Sequence, residues 1–162
     1  MRRKDLEVYG KEKIEPILRK CTVCRIAMIA DGKPYIIPMV FGYRWDDEEL
    51  NLYMHCGLRG RKNKALKENA LVCFEMDIEG GLIGAGGPAI KHSRAFEAII
   101  GEGRVIFAKN NEEKRAGFDV IMKHQTGKEG WVYPDAYLAA VEVFKIRADS
   151  FHASQKIDPH KT

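Results

Sequence analysis

The segment Tyr53-Met54-His55-Cys56-Gly57-Leu58-Arg59-Gly60-Arg61-Lys62-Asn63-Lys64 concentrates the residue types that could do chemistry. An alternating strand delivers His55, whose unperturbed pKa of about 6.5 suits proton transfer near neutrality. Gly57 and Gly60 loosen the strand exit. Arg61, Lys62 and Lys64 then crowd the start of a helix, where free backbone amides also favour an anion. The outline is that of a phosphate site. The same run also reads as the solvated basic face of an amphipathic helix, with Leu58, Ala65 and Leu66 on its apolar side. A single histidine near a strand end is equally ordinary as a partly exposed polar residue.

Other chemistry-bearing residues are weaker signals. Cys21-x-x-Cys24 lies at the entry to a β-rich segment, where residues three apart point to opposite faces. Cys56 and Cys73 are singles, without a second CxxC or an HxxxH partner, so no metal site is expected. In a reducing compartment the four thiols read as small apolar core groups. Gly81-x-x-Gly84-x-Gly86-Gly87 superficially resembles a phosphate loop, but Pro88 follows and no helix begins, so a lid or crossover fits better. Ser93, Ser150 and Ser154 lack a nucleophile-elbow setting. Trp131 and Tyr133 read as a packed loop or as an aromatic cover.

These residues must be positioned by a mainly β framework. The stretch 4–20 has helix-like spacing interrupted by Gly10 and Pro16. Val23–Ala30 and Tyr35–Trp45 read as strands joined by an Asp31-Gly32-Lys33-Pro34 turn, and 50–55 follows after an acidic turn at 46–49. Gly57–Asn69 reads as a helix, 70–77 as a strand, and Gly80–Pro88 as a glycine-rich loop. Ala95–Lys109 reads as one long strand kinked at Gly101 and Gly103. Asn110 caps a helix that carries Phe118, Ile121 and Met122 and ends at Gly127. Tyr137–Arg147 closes the set. Consecutive antiparallel strands of this kind imply an α+β, mainly β, closed or partly closed barrel with flanking helices, because an open sheet would leave long apolar edges.

The 162 residues fit one domain, with 1–20 as an N-terminal helical segment and 150–162 as a tail. Such a domain hides roughly 70% of its unfolded surface. Twenty-seven Lys and Arg against twenty-three Asp and Glu leave +4, spread over both halves, which excludes a polyanion-wrapping arm. Nucleic acid is not an expected partner, since the cations are not interleaved with aromatics on one face. The longest apolar stretch, Tyr35–Tyr43, contains Pro38 and Gly42 and falls short of the roughly 18 residues of a membrane helix. Behind the basic N-terminus there is no apolar run, so no signal peptide is expected and the location expected is the cytoplasm.

Taken in order, several motifs form a familiar succession. Pro38-x-x-Phe41, Leu52-Tyr53-Met54-His55, Gly60-x-Lys62, and Asn69 before Val72-Cys73-Phe74-Glu75 resemble the pyridoxamine 5′-phosphate oxidase-like split barrel. Ile99-Ile100-Gly101-x-Gly103 and Met122-Lys123-His124-Gln125-Thr126-Gly127 extend the likeness, which is strongest to the nitroimidazole-resistance branch of flavoproteins. The resemblance implies a six-stranded antiparallel Greek-key split barrel, a homodimer with FMN in clefts between subunits, and reduction of a small organic substrate, nitro-aromatic or nitroimidazole-like. It implies that Pro38, Met39, Val40 and Phe41 run beside the isoalloxazine. His55, Gly60, Arg61 and Lys62 would lie toward the ribityl phosphate, with His55 nearest the flavin and a candidate proton donor. Trp131 would reach over the cleft from the other subunit. The branch commonly has a Tyr-Arg-Ser run where this chain has Phe96-Glu97-Ala98, and an aromatic where His92 aligns. A flavin-binding reservoir or sensor without turnover, or the same barrel holding heme or deazaflavin, are the alternative readings.

Overall fold

The computed structural model describes residues 3–84 and 87–158. Along the chain come β1 (Glu7–Val8), α1 (Lys11–Lys20), β2 (Val23–Ala30), β3 (Lys33–Val40), β4 (Gly42–Asp46) and β5 (Glu49–Gly57). They are followed by α2 (Arg61–Glu68), β6 (Leu71–Ile83), β7 (Ser93–Phe107), α3 (Asn111–Thr126), α4 (Asp135–Leu138) and β8 (Val141–Lys156). The strands form one antiparallel sheet in the order β3-β2-β6-β7-β8-β5-β4, and β1 lies against β8. Among the described residues no helix is long and apolar enough to cross a membrane.

Period-two alternation builds the core. Cys24, Ile26 and Met28 of β2 point inward with Leu52 and Met54 of β5 and Phe74 and Met76 of β6. Three of the four cysteines are buried there as expected, whereas Cys73 is exposed because its β6 position faces outward. Asp31 and Gly32, both at positive φ (54° and 71°), make the two-residue turn between β2 and β3. The α3 cap is the expected one, since the Asn110 side chain accepts from the Glu113 amide at 2.9 Å. Its end is also as expected, with Gly127 in the left-handed region (φ 69°).

The strand count and closure differ from expectation. The sheet has eight strands rather than six, and it is not closed. The stretch 35–45 is two strands, because the chain breaks at the fully buried Phe41 and passes from one edge of the sheet to the other. The two-residue β1 is the other addition. β3 and β4 are therefore consecutive in sequence yet occupy opposite edges, which curls the sheet into a split barrel. Two further boundaries move. The expected loop at Gly80–Pro88 is strand as far as Ile83, paired with Ser93 and Arg94 beyond a bulge after Glu79; residues 85–86 of it lie outside the described residues. The segment 150–162, expected as a tail, is strand through Lys156, paired with β7; residues 159–162 lie outside the described residues.

Helix α3 lies unusually close on the outer side of β4, β5 and β8. A Cβ at Gly117 would stand 2.6 Å from Val143 Cγ1, and one at Gly42 would stand 2.3 Å from the Val120 carbonyl oxygen. At its C-terminal end the Gln125 amide donates to the carbonyls of Phe41 (2.8 Å) and Thr22 (2.9 Å). His124 Nε2–H donates to the Cys21 carbonyl at 2.7 Å, and its ring packs on Phe41 and Tyr43. Because the atoms facing Gly42 are backbone, Gly42→Ala forces helix and strand apart. It should cost about 1–3 kcal/mol or more, read as a lower urea midpoint at unchanged slope; a wild-type midpoint would contradict this packing.

Candidate functional site

His55 leaves β5 on the face that α3 covers, opposite Val143 of β8. Its ring meets Phe118 at 5.0 Å between centroids, and Phe118 stacks on Tyr133 at 5.3 Å and 23°. His55 Nδ1 and Tyr133 Oη are buried and have no hydrogen-bond partner among the described residues. Desolvation, joined by the Lys62 charge, holds the His55 imidazole below its ordinary pKa. Desolvation also pushes the Tyr133 hydroxyl up to about 12, with help from the Asp119 carboxylate, which stands near it without hydrogen bonding to Oη.

From His55 the chain turns through Gly57 and Gly60 into α2. Gly60 sits at φ 116° and offers no side-chain cap. The first helical bond is Lys64 N–H to the Gly60 carbonyl at 3.1 Å, so the amides of Arg61, Lys62 and Asn63 remain available. Asn63 is buried and ties this turn to the strand end, donating to the Gly57 carbonyl at 3.1 Å and to Cys56 Sγ at 3.7 Å.

The clustered cations do not share one role. Arg61 stacks on Tyr35 (4.5 Å), donates to the Ala30 carbonyl (3.2 Å) and pairs with Asp31 (3.5 Å). Lys64 pairs with the same Asp31 at 3.1 Å. Both are thereby bound to the β2–β3 turn. Half-buried Lys62 makes no hydrogen bond or ion pair with any described residue, and it is the cation whose field reaches His55.

The remaining expected residues line β3 and the loop after α3. β3 is an edge strand with Pro38 and Val40 outward and Met39 inward. Phe41 is wholly buried, its ring packed on His124 and withdrawn from the surface. Arg61 meets β3 near its start at Tyr35, and α3 grips its end at Phe41. These points lie about 20 Å apart at roughly 3.3 Å per residue. Trp131 is 43% exposed, its Nε1–H donating to the Lys128 carbonyl. The structure thus joins His55 with Lys62, and Arg61 with β3, and it brings Tyr133 of the same chain onto the histidine cluster. Sequence reasoning missed Asn63, Tyr133 as a cluster member and the Arg61–Asp31 tie. Only the strand-end position of Gly57 six residues before Asn63 hinted at the first.

Comparison with known proteins gives this geometry a family. The sequence profile described as pyridoxamine 5′-phosphate oxidase matches residues 10–155. The chain belongs to that family. A provisionally assigned 5-nitroimidazole antibiotic resistance protein of Bacteroides thetaiotaomicron is 31% identical over 91% of this chain and 85% of its own, with a TM-score of 0.79. That likeness supports the nitroimidazole-resistance branch of the family. A flavocytochrome of Azotobacter vinelandii (20% identity, 98% and 73% of the two chains, TM-score 0.78) shares the fold. So does an FAD and heme binding protein of Mycobacterium smegmatis (18%, 96% and 76%, TM-score 0.78). No curated protein shows a significant match. Against the branch's usual pattern, Glu97 is occupied within this chain, bound by Lys20 at 2.8 Å and by the Gln155 amide at 2.6 Å.

Two half-buried imidazoles give the family member a defined pH response. His55 and His124 both have lowered pKa values, first through desolvation. In the unfolded chain both take up a proton near pH 6.5, before the folded chain does, so folding stability is full above that value and falls as pH drops below it. Thermal midpoints should therefore decline from pH 7 to pH 5, and His55→Gln should flatten part of the decline. A parallel profile in the variant would mean that His55 titrates as an exposed group.

Proposed function

We propose that this chain is an FMN-dependent oxidoreductase of the split-barrel class, working as a homodimer on a small organic substrate, nitro-aromatic or nitroimidazole-like. The family binds flavins, and the observation that carries FMN is the donor set at α2. Lys62, an unpaired half-buried cation, stands at an uncapped helix start beside free amides, and the basic turn is steered by the buried Asn63. That set fits a phosphate dianion. The orphaned His55 Nδ1 fits a polar ligand atom arriving beside it. Backbone of Pro38 and Val40 turned away from β2, on either side of Met39, supports a flat ring lying along this edge. Arg61 is spent on the β2–β3 turn, so its part is to brace the site rather than to carry the phosphate.

FMN, when bound, supplies hydride transfer. The chain's own residues bind and orient. Lys62 and the α2 amides take the anionic end, and Phe118 and Tyr133 keep water from His55. Burial and Lys62 keep the imidazole neutral near pH 7, which favours a hydrogen-bonding, positioning role for His55 over proton donation. The outward Ile36, Val40, Ile29, Leu71 and Ile100 are exposed apolar side chains that support a second copy, and the exposed Trp131 is available to it. One observation favours flavin storage without turnover: Glu97, committed to Lys20 and Gln155, stands where the branch commonly has a cation.

The absorbance spectrum of the purified protein separates flavin from heme or deazaflavin. Steady-state reduction of a nitro-aromatic then separates an enzyme from a reservoir. Lys62→Ala should weaken FMN about ten- to a hundredfold and riboflavin little, whereas Arg61→Ala should mainly lower stability. Equal losses of FMN and riboflavin in Lys62→Ala would mark the cations as a solvated face. Light scattering should give a dimer whose interface buries more than about 2,000 Å²; a monomer with flavin still bound would overturn the shared-cleft reading.

A further inference from the structure

Three buried side-chain polar atoms lack a hydrogen-bond partner among the described residues: Asn51 Oδ1, His55 Nδ1 and Tyr133 Oη. The Asn51 amide is otherwise engaged, its Nδ2 donating to the Asp46 and Glu49 carboxylates at 3.1 Å each. The other two gather on one helix, since the rings of His55 and Tyr133 both pack on Phe118 of α3. Buried polar atoms are ordinarily paired, so two orphans against a single ring point to a partner from outside the chain.

The fold accounts for the Tyr133 ring and not for its hydroxyl. The chain reverses after α3 through Gly127 and Gly130, both at positive φ (69° and 78°). Beyond the loop, Asp135 takes the Arg115 guanidinium at 2.6 Å and the Asn111 amide at 2.8 Å, and the Lys114 ammonium donates to the carbonyls of Leu138 and Val141. The start of α4 is thereby clasped to the first turns of α3. Trp131 and Val132 face solvent, whereas Tyr133 turns in and stacks on Phe118. A phenylalanine would make the same stack. The hydroxyl adds the cost of burying a polar group with no bond in return. Desolvation and the Asp119 carboxylate push its pKa up to about 12, so it keeps its proton and stands as a donor. The same carboxylate disfavours an anionic acceptor at this point.

We propose that Tyr133 is a flavin-binding residue, its O–H donating to a hydroxyl of the ribityl chain, and that His55 Nδ1 meets the same chain. This inference rests on the flavin reading above. The anionic end belongs to Lys62 and the α2 amides, and the Lys62 field reaches His55, so the ligand group beside His55 is the one next to the phosphate. In FMN that group is a run of neutral hydroxyls. A hydroxyl both donates and accepts, so it satisfies a phenol O–H and either tautomer of a neutral imidazole.

The test compares FMN, riboflavin and lumiflavin, which share one ring system and differ in phosphate and ribityl chain. Each is titrated into the full-length protein freed of flavin, and binding is followed by quenching of flavin fluorescence. Tyr133→Phe, which keeps the ring and its stack, should weaken FMN and riboflavin by the same factor, about three- to tenfold, and leave lumiflavin unchanged. Lys62→Ala differs in kind, since it should spare riboflavin. The thermal midpoint of the flavin-free Tyr133→Phe protein should equal or exceed wild type, because an unpaired buried hydroxyl has been removed. A loss confined to FMN, an equal loss for lumiflavin, or a lower midpoint without flavin would each overturn the proposal; the last would show that the hydroxyl already has a partner, in a second copy of the chain or in bound water. Failure of the wild-type protein to bind any of the three would overturn the flavin reading itself, whereas wild-type binding that Tyr133→Phe does not alter would overturn this inference alone.

Discussion

The side-chain amide of Gln125 holds together what the strand ladders leave apart. β3 and β4 are joined only through Phe41, and no ladder connects them because they form opposite edges of the sheet. By donating to the Phe41 and Thr22 carbonyls, Gln125 satisfies backbone that the break in the strand leaves unpaired at the corner. His124 does the same for Cys21 while its ring seals Phe41 from water. The position of α3 follows from this grip. So does everything hung on α3, including Phe118 over His55 and Gly117 against Val143. The histidine cluster and the corner are thus two ends of one helix, and its close seating depends on glycine at both contacts.

Electrostatics completes the division of labour around α2. Asp31 sits at the tip of a tight turn and draws in Arg61 and Lys64, which fixes the turn against the helix. Exposed pairs of this kind contribute little energy singly, but here they decide which cation remains uncommitted. Lys62, one residue along, points elsewhere and shares its environment with His55. Helix geometry makes that separation unavoidable, since adjacent residues differ by about 100° around the axis.

Much of this was legible in the sequence wherever the determinants were local. The Asp31-Gly32 turn, the Asn110 cap and the Gly127 stop rest on residues within one turn of each other, and each formed where expected. The passage of His55 into a basic helix was legible for the same reason. The break at Phe41 was not, because apolar residues continue across it and the cause lies in Gln125, far along the chain. Gly80 and Gly81 read as loop although they form a bulge inside a ladder completed by Arg94 and Ser93. The commitment of Arg61 depends on Asp31, thirty positions earlier, and the place of Tyr133 in the histidine cluster depends on how the loop after α3 folds back on Phe118.

The edge position of β3 has one further consequence. Ala30 and Lys33 flank the two-residue turn and so form a hydrogen-bonded pair, which makes Met28–Tyr35, Ile26–Ile37 and Cys24–Met39 bonded pairs as well. The backbone groups of Pro34, Ile36, Pro38 and Val40 consequently face away from β2. Proline carries no N–H, so every second donor along that open edge is missing. A strand from another molecule would meet a ladder it could not complete, which guards this edge of the barrel against edge-to-edge aggregation. The isolated amides of Ile36 and Val40 remain usable by something small. The edge can accept a ligand while refusing a chain.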